Sequence, residues 1–251
     1  MRHPQKREDL SRFLVHLTRD YDGVCARDNL MSILRLRTIH ARNPHCLFKY
    51  DIEKLGFSSI LSKEFNTVCF TETPLTQVRR LVGTIPGRRV ALKGYGLVFA
   101  KDTLVSRGAN PAFYLNAEGT KLRDYLLARF RTDFEGIHSL KKLKRQQAEY
   151  YRSIIQYYSL VNIISGNYDF MWEREWRYRG SFPFKYVDVV AIIANDPDSF
   201  EEYCEKRLPK EKFRYVQMLP IVSPRWDYED IVEAMSIKVW NNALSERTPQ
   251  A

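Results

Sequence analysis

The sequence predicts an α+β domain, a mixed or antiparallel β core with surrounding helices. Short apolar runs bounded by turn residues read as strands, and longer segments with apolar residues at i, i+3 and i+4 read as helices, the two kinds interleaved along the chain. A composition of 44% hydrophobic and 28% charged residues over 251 positions belongs to a globular chain with a real core, not to a disordered or fibrous one. Folded as one unit, such a chain buries roughly three quarters of its unfolded surface. It carries no internal repeat and no biased linker, so a single domain over 1–251 is expected, with 185–251 an extension of the same domain.

The elements follow in order. Phe13-Leu14-Val15-His16-Leu17 reads as a buried strand, followed by a polar turn from Asp20 to Gly23. Asp28 then caps a helix that sets Leu30, Ile33 and Leu34 on one face. Thr67-Val68-Cys69-Phe70 is a second strand, and Thr73-Pro74 places a capping hydroxyl before a first-turn proline, opening a helix through Leu81. Residues 95–99 and 111–115 are further strands, separated by a basic turn ending at Gly108, and residues 121–131 and 146–161 read as helices. Over 170–179 a strand would carry Glu173, Glu175, Arg177 and Arg179 on one face, with Arg174, Trp176 and Tyr178 on the other and Trp176 towards the core. Residues 187–194 form a strand by composition, 199–207 a helix, 213–222 a strand and 227–244 a terminal helix.

No stretch approaches the roughly 20 apolar residues of a membrane helix. The opening residues Met1 to Asp9 lead into no apolar signal region, so a cytoplasmic protein with no membrane partner is expected. Cys25, Cys46, Cys69 and Cys204 contain no CxxC pair, which points to buried free thiols rather than a disulfide framework or zinc ribbon. His40, His45 and Cys46 lie close together but match no recurrent zinc spacing, and no metal is expected.

The charge is uneven. Lys and Arg number 40 against 30 Asp and Glu, a net +10. Residues 185–251 hold 9 basic and 12 acidic residues, so the first 184 carry +13 and the rest −3. Arg79-Arg80 and Lys141-Lys142-Leu143-Lys144-Arg145 concentrate the excess, with Tyr150, Tyr151, Tyr157 and Tyr158 nearby. Such a field draws a polyanion, and nucleic acid, RNA before single-stranded DNA, is the expected partner at Arg79, Arg80, Lys141, Lys142, Lys144 and Arg145. A solvated helix face produces the same pattern.

The chain has no GxxxxGK[ST] loop, no GxGxxG after a strand, no GxSxG elbow and no HExxH helix, which removes the common nucleotide hydrolase, Rossmann, serine hydrolase and zincin readings. Three segments can still carry chemistry. In Val15-His16-Leu17-Thr18 an imidazole and a hydroxyl share a strand face and can hold a ribose. Val68-Cys69-Phe70-Thr71-Glu72-Thr73-Pro74 delivers Thr71 and Glu72 to a helix start. Trp172-Glu173-Arg174-Glu175-Trp176-Arg177 sets two carboxylates on one strand face, which cross-strand salt bridging also explains.

In content and order these segments resemble the AbiGi-like abortive-infection proteins. The matching pieces are His16-Leu17-Thr18, Leu30-Met31-Ser32-Ile33-Leu34, Phe70-Thr71-Glu72-Thr73-Pro74, Tyr95-Gly96-Leu97-Val98-Phe99 with Lys101, and Glu173-Arg174-Glu175-Trp176-Arg177, over roughly residues 13 to 180. The layout is also similar to that of DarT-type ADP-ribosyltransferases, in which a His-x-Thr strand grips NAD and a late strand glutamate is catalytic. That likeness implies an ADP-ribosyltransferase-like fold, NAD as co-substrate, and a phage-defence toxin that modifies nucleic acid and is restrained by a cognate antitoxin. It assigns Glu175, with Glu173 beside it, as the carboxylate that stabilises an oxocarbenium-like transition state. His16, Thr18, Arg42, Phe70, Thr71, Tyr95 and Tyr114 would bind NAD, with Tyr95 or Tyr114 on the nicotinamide and Arg42 at the pyrophosphate, while Arg177 would orient Glu175 by a salt bridge. Two other readings stand beside it. One is a catalytically inactive nucleic-acid-binding or antitoxin-like component with the same fold, since AbiGi-type proteins are also described as antitoxins. The other is an NAD hydrolase.

Overall fold

A computed structural model describes residues 11–88, 90–164 and 171–247, with side chains to residue 238 in the last stretch. The strands are β1 (Phe13–Arg19), β2 (Thr38–Ile39), β3 (Thr67–Thr71), β4 (Leu92–Ala100), β5 (Asn110–Pro111), β6 (Phe113–Asn116), β7 (Val161–Ile164), β8 (Glu175–Arg179), β9 (Phe182–Pro183), β10 (Val189–Ala194) and β11 (Ile221–Val222). The α-helices are α1 (Ala26–Leu36), α2 (Lys49–Lys54), α3 (Ser59–Glu64), α4 (Lys101–Ser106), α5 (Leu122–Asp133), α6 (Arg145–Leu160), α7 (Pro197–Arg207), α8 (Lys210–Gln217) and α9 (Tyr228–Arg247). Among the described residues no helix is long and apolar enough to cross a membrane. The architecture is α+β, and the chain divides into two compact units. The first comprises Met1–Thr38, Thr71–Leu104 and Phe184–Ala251, and the second Ile39–Phe70 and Val105–Pro183.

In the first unit the strand order is β11-β10-β4-β1. β1 runs antiparallel to β4 with His16 opposite Leu97, β10 is antiparallel to β4 with Ile192 opposite Leu97, and β11 is parallel to β10. The sheet is therefore mixed. Val15, Val98, Ala191 and Ile193 pack with Val78, Leu81, Val222 and Ile231 on one side. Their neighbours Leu14, Leu97, Phe99 and Ile192 are just as buried, so the strands bury both faces and read as continuous apolar runs rather than alternating ones. Gly96 has a specific reason to be glycine. A Cβ at this position would run into the carbonyl oxygen of His16 on the neighbouring strand.

Several local expectations are corrected here. The first helix starts at Ala26, because the Asp20 carboxylate accepts its N–H at 2.8 Å; Asp28 sits inside the first turn and accepts the Tyr203 hydroxyl. Leu75–Leu81 is a 3-10 helix opened by Pro74, and the Thr73 hydroxyl pairs with that of Thr71 at 2.8 Å instead of capping. The expected basic turn before Gly108 contains α4. Over 213–217 the expected strand is instead the later part of α8, and only its end, Ile221–Val222, is strand. Pro209 precedes the first turn of α8, and Phe213 and Val216, three residues apart, turn inwards together.

The second unit is built on aromatic rings. Phe48 stacks on Phe130 at 4.6 Å, and Tyr158 meets both edge-on at 4.7 and 4.9 Å. Ile52, Leu61, Phe65, Leu126, Phe134, Ile155 and Val161 complete this core from α2, α3, α5, α6 and the strand that follows α6. Its strands lie in the order β3-β8-β5, with Asn110 opposite Arg177 in an antiparallel pair. The expected strand over 111–115 is two pieces in different sheets, since β6 pairs in parallel with β7.

Candidate functional site

The best-defined polar centre lies in the second unit, at the start of β8. Met171–Glu173 is a 3-10 turn, and Arg174 takes a left-handed conformation at φ 45° before the strand begins at Glu175. A non-glycine residue in that region is uncommon, and here it swings the chain between turn and strand. Glu173 is consequently on the turn and Glu175 on the strand. The expected pair of carboxylates on one strand face is corrected for that reason, and Phe170, where that strand was expected to start, lies outside the described residues.

Glu175 and Arg177, two residues apart, do share a face. The Arg177 Nε and Nη2 donate to the two Glu175 carboxylate oxygens at 3.1 and 2.8 Å, a bidentate pair. Arg177 is 1% exposed and Glu175 13%. Its remaining Nη1 donates at 3.0 Å to the carbonyl of Ser159, one of the last carbonyls of α6 and so otherwise lacking a helical partner. From β6 the Tyr114 hydroxyl donates to Glu175 Oε2 at 2.6 Å, and from β3 the Cys69 thiol donates to the same carboxylate. The Ala112 N–H donates to the Glu175 backbone carbonyl at 2.9 Å. Trp176, expected on the core side, is only half-buried. The inward face of β8 is the charged one.

The electrostatics follow from this geometry. Burial works to raise the Glu175 carboxyl, but the Arg177 charge and the hydrogen bonds from Arg177, Cys69 and Tyr114 prevail and hold it at about 2. Burial also works to deprotonate Arg177, and Glu175 reverses that, keeping the guanidinium charged. Burial and then the Glu175 charge push the Cys69 thiol and the Tyr114 hydroxyl well up, so both stay protonated. An ionised carboxylate offers about four lone-pair positions. Two from Arg177, one from Tyr114 and one from Cys69 occupy them in this structure.

Of the other residues singled out from sequence, Phe70, Arg42, Lys141, Lys142, Lys144 and Arg145 also belong to the second unit, whereas His16, Thr18, Thr71, Tyr95, Arg79 and Arg80 belong to the first. Thr18 is 4% exposed, and its hydroxyl lies 2.9 Å from the Ala26 carbonyl and 3.1 Å from that of Tyr95, two backbone acceptors for one proton. Thr71 is tied to Thr73, Tyr95 tilts against Phe200 at 5.8 Å, and Phe70 meets Phe182 edge-on at 5.5 Å. His16 is half-buried on β1, and Arg42 is exposed after β2. Arg79, Arg80, Lys141, Lys142, Lys144 and Arg145 are all exposed. Glu72, 7% exposed, takes a 2.6 Å ion pair from Lys101, which joins the two ends of the Phe-Thr-Glu and Tyr-Gly segments. Sequence reasoning had no means of pairing Cys69 and Tyr114 with Glu175, or the Ser159 carbonyl with Arg177. Only the Glu-x-Arg spacing hinted at the ion pair. Among the described residues no group of three or more His, Cys, Asp or Glu could hold a metal ion.

Residues 39–223 match the family model described as "Putative abortive phage resistance protein AbiGi, antitoxin". The chain belongs to the AbiGi family. The AbiGi match starts after the His16-Leu17-Thr18 strand and runs through β11, so it leaves out the segment expected to grip NAD and takes in part of the tail that carried no recognised motif. No curated protein and no solved structure matches the chain. The AbiGi description, an antitoxin, corrects the expectation of a toxin, of an NAD-dependent ADP-ribosyltransferase and of NAD as co-substrate. The nucleic-acid acceptor goes with the transferase reading, and the expected cognate antitoxin partner is corrected likewise, since the AbiGi description names the antitoxin side of such a pair.

Proposed function

We propose that the chain is the antitoxin of an abortive-infection pair, a folded protein that neutralises its cognate toxin by binding it and catalyses no reaction. The AbiGi match over 39–223 carries this reading. The Glu175 centre is in keeping with it, because a carboxylate with every lone pair engaged by its own chain serves as a structural tie. A transferase-like layout belongs to the same proposal as a scaffold kept without its chemistry, the whole of 1–251 acting as one domain.

The test is co-expression with the protein encoded by the adjoining reading frame, followed by size-exclusion chromatography. A stable complex of the two, with growth arrest by that protein relieved in proportion to the amount of this chain, is the expected outcome. A folded Glu175→Gln variant should form the complex and relieve arrest as the parent does. Relief that disappears in that variant while the complex persists would mean that chemistry, not binding, is responsible.

A further inference from the structure

The second unit carries a surface that its own fold does not use. Within residues 136–164 there are five cations, Lys141, Lys142, Lys144, Arg145 and Arg152, and one acid, Glu149. Glu149 is engaged by Arg145 at 3.0 Å. The first turn of α6 has no acidic residue, so the cations gathered there oppose the helix dipole instead of complementing it. Beyond them, Gln146, Tyr150, Ser153 and Tyr157 fall at i, i+4, i+7 and i+11, one stripe of the helix. Tyr150 is 56% exposed and Tyr157 47%. Both rings are pinned from behind, Tyr150 edge-to-face with Tyr151 at 5.6 Å and Tyr157 with Tyr158 at 5.2 Å. Tyr158 is itself fixed by donating to Asp133 at 2.6 Å.

Two held aromatic rings about 10 Å apart along a helix, flanked by Arg and Lys, have the composition of protein-interface anchors. They cost little entropy to bury because they are already ordered. The spacing is that of a helix laid into a partner's groove. A convex helix face lacks the basic groove that tracks a nucleic-acid strand, so a protein is favoured over RNA. We propose that the outward face of α6, with the Lys141–Arg145 turn, is the docking surface for an acidic groove of the cognate toxin. This rests on the antitoxin reading. The excess of cations sets the partner's sign: the groove supplies the carboxylates that this segment lacks.

The experiment measures binding of the full chain to the protein of the adjoining reading frame, and separately to a labelled 20-nucleotide oligouridylate. Three variants are compared with the parent: K141E/K142E/K144E, Y150A/Y157A, and K49E/K63E/K121E, which makes the same charge change at other exposed lysines of the second unit. The first two should bind the protein about thirtyfold more weakly or worse, with thermal melts unchanged, and the third as the parent does. Binding by the parent should weaken with salt, and that of the charge-reversed variant should respond less. Equal protein binding by all three variants overturns the docking surface while leaving the antitoxin reading in place. Loss of oligouridylate binding alone would assign the surface to nucleic acid instead. A parent chain that does not bind the protein overturns the antitoxin reading and this surface together.

Discussion

Glu175 and Arg177 form a nearly dry ion pair whose value lies in being complete. Removing one partner from such a pair leaves the other charge buried, a loss of about 3–5 kcal/mol. Arg177→Met should therefore destabilise the protein by about that amount in urea titration. It also leaves the Ser159 carbonyl without its donor. A loss below about 1 kcal/mol would show that water reaches the carboxylate and that the pair is not buried in solution. The same centre sets an acid limit. The Glu175 carboxyl stands at about 2 in the fold against 4.5 unperturbed. Its contribution is therefore fully present above pH 4.5 and is lost as pH falls towards 2. Melts of the parent between these limits should fall steeply, and those of Glu175→Gln should run flatter. Parallel curves would mean that other carboxylates govern acid unfolding.

At the scale of elements, Gly96 links a sequence motif to sheet geometry. Its Tyr-Gly pair recurs in the resemblance to the AbiGi-like proteins, and the structure gives the reason: a Cβ would meet the His16 carbonyl of β1. Gly96→Ala should cost about 1–3 kcal/mol, the usual range for overpacking, measured as a lower midpoint with an unchanged m-value. A neutral substitution would mean that β1 and β4 can part without loss. Elements with one strong local signal were legible in sequence. β1, β3, β4, α5, α6 and α7 fall within a few residues of the expected places because apolar runs, spacing and flanking turn residues agree. The failures share a cause. Over 213–217 the apolar residues suit a strand, yet Pro209 and the three-residue spacing of Phe213 and Val216 decide for a helix, and the strand is confined to Ile221–Val222. At Glu173 the strand pattern continues in sequence, but the left-handed Arg174 ends it. Composition does not encode where a backbone turns over.

On the scale of the whole molecule, the net charge of +10 suggested a polyanionic substrate. Its most concentrated run is accounted for differently, as a docking face beside two ordered tyrosines. The candidate site was legible only as a set of residue types. Glu175 and Arg177 were paired by their spacing, but their saturation by Tyr114 and Cys69 depends on contacts between positions about 60 and 105 residues apart in the chain from Glu175. No local pattern reports such contacts, and they separate an available carboxylate from an occupied one. On the reading proposed above, this chain acts by binding a toxin. The most direct measurement is growth of cells expressing the protein of the adjoining reading frame, with and without this chain. Arrest by that protein alone and recovery when this chain is supplied is the predicted result. Arrest caused by this chain alone would mean that it is itself a toxin.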